Sequence, residues 1–225
     1  MCAKAPLPCG TLLAQSALAE HERYVMSARI PVVTPVLLAL SLVACDGGAS
    51  QPPVTDAPLY GSALTGEFDL VDTNGNQVTS ADFAGKYQLV YFGYAYCPDI
   101  CPFDMDRMVR GYNAFAEENP ELAQDVQPIF ITIDPERDTP EKVGEYAAAF
   151  SEDVIGLTGS PEQIEAAAAS FFAYYQKLEP NAEGGYLMDH SRTGYLVDRE
   201  GEPMALIPVE ESAEAVAAEL EKWVR

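Results

Sequence analysis

Cys97 and Cys101 lie in the stretch Tyr94–Pro102, which reads YAYCPDICP, and they are the only cysteines after residue 45. Three residues separate them, where thiol-disulfide enzymes usually carry two, so the spacing itself needs an explanation. At i and i+4 in the first turn of a helix the two side chains project to the same side, with Cβ atoms about 5–6 Å apart, and one small soft cation can touch both sulfurs. Pro98 and Pro102 stiffen that turn at positions where a starting helix does not use its backbone donors. The positive end of the helix favours at least one thiolate, the form that acts as nucleophile or as metal ligand. Redox chemistry and metal chemistry are served equally by this much.

A third donor separates them. The chain has two histidines, His21 and His190, and His21 lies in the leader. His190, in YLMDHSRTGYLVD, follows the Gly184-Gly185 turn and is expected on a loop free to cover the dithiol. Two thiolates and one imidazole form a soft three-coordinate set. Structural zinc takes four protein ligands, and no third free cysteine or second histidine remains downstream of the leader. Copper suits the set better, because Cu(I) favours thiolates and the imidazole admits Cu(II). The neighbouring residues carry blander readings. Met105 and Met108 fit the apolar face of a helix, Met188 fits core packing ahead of a weak axial contact, and Asp99 faces solvent. In an extended segment Asp189 points away from His190 and is no hydrogen-bond partner for it.

These residues need elements to hold them. Asn74-Gly75 between Glu67–Val71 and Gln77–Thr79 is a hairpin signal, since both central positions accept positive φ. Tyr87–Tyr94 is a run rich in aromatic residues with β-branched Val90, long enough for a central strand buried on both faces. The cysteines follow at once, and Met105, Met108, Val109, Tyr112 and Phe115 then recur at helical spacing. Val126–Ile133 forms a second apolar strand. Thr139 with Pro140, and Ser160 with Pro161, each open a helix by capping, the second after a short strand over 154–157. Strands are expected over 174–178, 192–197 and 204–209, and an amphipathic helix over 212–224. The order predicts an α/β domain with a mixed central β-sheet flanked by helices and an N-terminal β-hairpin, its chemistry at the carboxyl end of the first central strand.

With 48% hydrophobic and 21% charged residues, the 225-residue chain has the composition of a protein that buries a core. Thirteen Lys and Arg against 35 Asp and Glu give a net charge of −22, which argues against a phosphate backbone, so no nucleic acid is expected as partner. Residues 1–25, with Glu20 and Glu22, are unlike a signal n-region and fit an upstream start. From Met26 the reading is a short basic segment, an apolar run and Leu42-Val43-Ala44-Cys45, a pattern that resembles a lipoprotein signal peptide over 26–44 with Cys45 lipidated. The apolar run is too short for a spanning helix. The expected organisation is a leader over 1–45, a flexible linker rich in Gly, Pro and Ser over 46–63, and a globular domain over 64–225. Export places the dithiol where thiols tend to oxidise.

YFGYAYCPDICP, then DPERDTPE, then Asp189-His190-Ser191 with the strand ending at Asp198, resembles the Sco/SenC family of copper-binding proteins over about residues 60–225. The resemblance implies a thioredoxin-like fold, copper as Cu(I) or Cu(II) on Cys97, Cys101 and His190, and a metallochaperone role in assembling the dinuclear copper centre of cytochrome c oxidase. It implies as partners the oxidase's copper-bearing subunit and a periplasmic copper donor or thioredoxin-like reductant. The expected place is the periplasmic side of a bacterial inner membrane, and here the chain departs from the resemblance: many relatives keep a transmembrane anchor, whereas this leader reads as a lipid anchor. Asp134 matches a family position that orients the site or caps a turn. The rival is a thiol-disulfide oxidoreductase with Cys97 as nucleophile and Cys101 as resolver, a redox-active pair that keeps the oxidase's copper-site cysteines reduced. A redox sensor is a third reading. A peroxidase fits poorly, since Tyr94 stands where peroxiredoxins need threonine and Trp223 is at the far end of the chain.

Overall fold

The computed structural model describes residues 51–225; the leader, Cys45 and the proposed lipidation site lie outside the described residues. Five strands form the central sheet: β3 (Tyr87–Gly93), β4 (Val126–Thr132), β5 (Ile155–Leu157), β8 (Gly194–Val197) and β9 (Pro203–Ile207), in the order β5-β4-β3-β8-β9. Strands β3, β4 and β5 run parallel, while β8 and β9 return antiparallel, so the sheet is mixed as expected. All seven residues of β3 are buried, as a central strand covered on both faces requires, and its run is apolar and aromatic except for Gln88.

The helices are α1 (Ile100–Glu118), the short α2 (Pro120–Ala123), α3 (Pro140–Ala148), α4 (Pro161–Ser170) and α5 (Ala213–Trp223). Thr139 and Ser160 each accept a hydrogen bond from a backbone N–H of the turn they precede, as the capping pattern predicts, and Ser212 does the same for α5. Helices α1 and α5 pack closely at Gly111, where a Cβ would sit 2.5 Å from Val216 Cβ. No helix among the described residues is long and apolar enough to cross a membrane.

Two hairpins stand outside the central sheet: β1 (Asp69–Val71) with β2 (Gln77–Thr79), and β6 (Tyr175–Lys177) with β7 (Met188–His190). The first hairpin is real, but its turn differs from the expected two-residue form. Only Gly75 takes positive φ, and the Asp72 carboxylate accepts from the backbone N–H groups of Asn74 and Asn76. A side-chain acceptor thus organises a longer loop that the Asn-Gly pair alone does not specify. The described part of the linker lies against the domain. Ala57 is buried, Leu59 N–H donates to the Met204 carbonyl at 3.0 Å, and the Gln51 amide donates to the carbonyls of Glu221 and Val224.

Candidate metal centre

Strand β3 ends at Gly93, where a Cβ would lie 3.0 Å from the rings of Phe130 and Tyr91 and 3.3 Å from Cys101 Sγ; the strand closes on glycine because those side chains crowd its backbone. The chain then turns through Tyr94–Asp99 into α1. Helix α1 begins at Ile100, so Cys97 precedes it and only Cys101 is helical, which corrects the expectation of two cysteines within one helical turn. The turn is set by Cys97 N–H donating to the Tyr94 carbonyl, and Cys97 Sγ in turn accepts from the backbone N–H of Cys101 at 3.4 Å. The first cysteine occupies the place where a capping side chain would satisfy the free donors of the helix start.

Both cysteines are reduced and buried. Cys97 is held far below the ordinary thiol range, first by a hydrogen bond from the Cys101 thiol, with burial opposing and the backbone N–H groups of Asp99 and Cys101 assisting. Cys101 is pushed up correspondingly, by the Cys97 hydrogen bond and by burial. The two shifts run in opposite directions, so Cys97 is the sulfur of the pair that gives up its proton first. Helix-start donors take part in this, but the thiol partner has the larger share.

His190 ends strand β7, opposite Tyr175 of β6, and is only 7% exposed. It is thus fixed by a strand ladder, where the sequence places it on a free loop. Its Nδ1 lies 2.8 Å from the Ser191 carbonyl oxygen, which can only accept, so Nδ1 carries the proton. Nε2 then presents a lone pair, and it lies 3.2 Å from Cys101 Sγ. The rings of Tyr94 and Tyr91 stand edge-on to the imidazole, with centroids 5.9 and 6.3 Å away. The structure therefore brings together all three residues read from the sequence.

Among the described residues no group of three or more His, Cys, Asp and Glu side chains is already arranged as a metal cage. The three donors hold one another through hydrogen bonds instead. Their chemistry still fits a soft cation, since the Cys97 thiol is lowered toward its thiolate form and the imidazole tautomer leaves Nε2 free. A cation entering the cluster would replace the Cys101 proton.

Met105 and Met108 are fully buried core residues, as expected, and Asp99 is exposed. Met188 and His190 share the buried side of β7 while Asp189 faces out. Asp134 accepts from Arg137 and from the Tyr186 hydroxyl, so it fastens the β6–β7 hairpin to the turn after β4. Asp138, overlooked in the sequence, accepts from the Thr132 hydroxyl at 2.6 Å and from Ala95 N–H at 2.8 Å, holding the loop that carries Cys97. Asp104 was overlooked too. It is fully buried and three residues past Cys101, and a carboxylate on the apolar stripe of α1 was the available signal.

Fold and cluster together define a thioredoxin-like domain with a reduced dithiol beside an imidazole, a class whose members use the pair for electron transfer or to hold a soft metal. Within that class the affiliation is specific. The SCO1/SenC family model matches residues 56–225, and the chain belongs to that family. It is 43% identical over 135 residues to the SenC protein of Rhodobacter capsulatus, covering 60% of this chain and 59% of that one. It is 40% identical over 148 residues to the mitochondrial SCO1 homolog 1 of Arabidopsis thaliana, covering 65% and 43% respectively. The aligned segment thus spans about half the length of these curated relatives. The structure of Arabidopsis thaliana ScoI with copper bound superposes with a TM-score of 0.65 at 36% identity, covering 72% of this chain and 98% of that one.

Proposed function

We propose that this protein is a copper metallochaperone that holds one copper ion as cargo on Cys97, Cys101 and His190 and assists assembly of the dinuclear copper centre of cytochrome c oxidase. The observation that carries the reading is the approach of His190 Nε2, with its proton fixed on the other nitrogen, to within 3.2 Å of Cys101 Sγ. Two thiolates satisfy Cu(I), and the imidazole extends the set to Cu(II). The copper-bound relative at 36% identity and membership of the family support the metal and the role. The leader pattern supports a lipid anchor at Cys45 on the periplasmic side of the inner membrane, with residues 64–225 as the copper-binding domain. The oxidase's copper-bearing subunit is then the recipient, and a periplasmic copper donor or thioredoxin-like reductant acts upstream.

Titration of the reduced protein with Cu(I) against a competing chelator is expected to show one equivalent. Cys97→Ala should lower affinity by at least about tenfold, the effect known for losing even a ligand's hydrogen-bond partner. Wild-type affinity in that variant would sink the metal assignment. For the role, deleting the gene should depress oxidase activity in a way that added copper corrects; full activity at limiting copper would remove it.

A second reading is favoured by the lowered Cys97 thiol, held by the backbone N–H of Cys101 at 3.4 Å. As a thiol-disulfide oxidoreductase, Cys97 would attack a disulfide of the target, Cys101 would resolve the mixed disulfide, and two electrons would pass to the target from an upstream dithiol reductant. His190→Ala separates the two readings. A pure dithiol reductase keeps its turnover, whereas copper delivery fails.

A further inference from the structure

Three residues beyond Cys101, one turn along α1, the Asp104 carboxylate is completely removed from solvent. It accepts four hydrogen bonds. Tyr91 donates its hydroxyl at 3.0 Å and Arg107 one nitrogen at 3.2 Å, while Arg192 donates Nε at 2.9 Å and Nη2 at 2.7 Å, one to each carboxylate oxygen. The last pair is the two-pronged guanidinium–carboxylate match that fixes direction as well as distance. Arg192 stands two residues after His190, across the chain from α1. The ion pair therefore ties the segment carrying the imidazole to the helix carrying Cys101. Tyr91 completes the link, since its ring stands edge-on to His190 while its hydroxyl reaches Asp104.

An ion pair between a fully buried carboxylate and a guanidinium that stays 37% exposed is a poor device for stability, because desolvating the carboxylate offsets much of their attraction. What a forked pair supplies is a single geometry. We propose that Asp104 and Arg192, with Tyr91, are positioning residues that hold His190 at the dithiol, so that the imidazole is pre-placed as a donor before any metal arrives. The proposal rests on His190 being a copper ligand, and it adds what sets the approach of that ligand. The pair should then govern the Cu(II) form, in which His190 takes part, far more than the Cu(I) form held by the two sulfurs.

Arg192→Ala is the test, because Asp104 keeps Arg107 and Tyr91 as partners and the fold is not left with a bare buried charge. In the metal-free protein, proton NMR contacts between the His190 ring and the ring of Tyr94 should weaken or vanish in Arg192→Ala. In the copper titration, Cu(II) affinity should fall about 10- to 100-fold, the range for losing a ligand's supporting partner, with Cu(I) affinity much less affected. Arg192→Lys, which restores charge without the fork, should recover only part of the loss. In a His190→Ala background, adding Arg192→Ala should change Cu(II) affinity no further, since the two act through the same ring. Undiminished His190–Tyr94 contacts in metal-free Arg192→Ala would overturn the clamp, whatever copper does. If the wild-type protein binds no copper while those contacts weaken as expected, the copper reading fails and the clamp stands.

Discussion

The two ends of strand β3 are built on opposite principles. At the Tyr87 end, α5 closes the chain over an apolar interior: Leu220, Trp223 and Val224 are buried, and α1 approaches α5 closely enough at Gly111 that a side chain there would collide with Val216. At the Gly93 end lie all three buried carboxylates of the described residues, Asp104, Asp134 and Asp138, together with buried His190 and both cysteines. Polar groups out of water cost free energy unless fully paired, so such a concentration is not what a fold assembles for stability. The first end keeps the domain folded, and the second uses that stability to hold a charged cluster in one arrangement. Separating these roles by the length of a strand lets each be disturbed alone.

The largest expected effect comes from the apolar end. Leu220→Ala removes a fully buried side chain on α5 and should cost about 2–5 kcal/mol in urea denaturation, the usual penalty for a core cavity. Copper stoichiometry in the variant that remains folded should stay at that of the wild type. A variant that lost metal binding while still folded would break the division between the two ends.

The same division separates what was legible in the sequence from what was not. Helices α3 and α4 could be read because their starts are set locally, by Thr139 and Ser160 one residue before the first turn, and α5 by its amphipathic spacing. Strand β3 was readable because burial on both faces leaves no polar alternation. The copper-type residues were found by their chemistry alone, since thiols and imidazoles are scarce in this chain. Their mountings were less visible. That His190 sits on a strand depends on pairing with Tyr175, fifteen residues earlier, and no local pattern reports that partner. Asp104 and Arg192 are 88 residues apart, and a lone Asp and a lone Arg look like surface residues until the fold brings them together. Cys97 fell outside the helix because its sulfur replaces a cap, a role usually given to oxygen.

A smaller effect, from the polar end, tests whether its buried charges are tolerated or helpful. Burial raises the Asp138 carboxyl above its ordinary value of 3.8, outweighing the hydrogen bonds from Thr132 and Ala95. The native state therefore keeps that proton to higher pH than the unfolded chain does. Stability from this group is present in full below 3.8 and declines as pH rises through the raised native value. Asp138→Asn retains an accepting oxygen for Ala95 and Thr132 but cannot ionise. It should raise stability at neutral pH by about 1 kcal/mol, the scale of one hydrogen bond, and flatten this part of the pH dependence. An unchanged slope in denaturation curves between pH 4 and 7 would show that Asp138 titrates in the folded protein as it does unfolded.

The smallest effect lies at the root of the hairpin that carries His190. Phe172 takes φ of 53°, the only non-glycine residue among those described with positive φ, and its side chain is 65% exposed. It occupies the position after α4 that glycine usually fills, where Ala173 N–H donates back to the Ala168 carbonyl at 2.8 Å. A side chain in that conformation costs about 1–2 kcal/mol, and an exposed ring recovers little of it. Phe172→Gly relieves the strain but frees the unfolded chain, which returns about 0.4–1 kcal/mol to the other side. The net expectation is a gain of about 0.5 kcal/mol, seen as a small rise in urea midpoint, with copper affinity unchanged because Phe171, one residue earlier, keeps its ring contacts with Phe92 and Tyr195. If stability falls instead, the exposed ring is making contacts that outweigh its strained backbone, and the polar end extends further along the hairpin than its buried charges indicate.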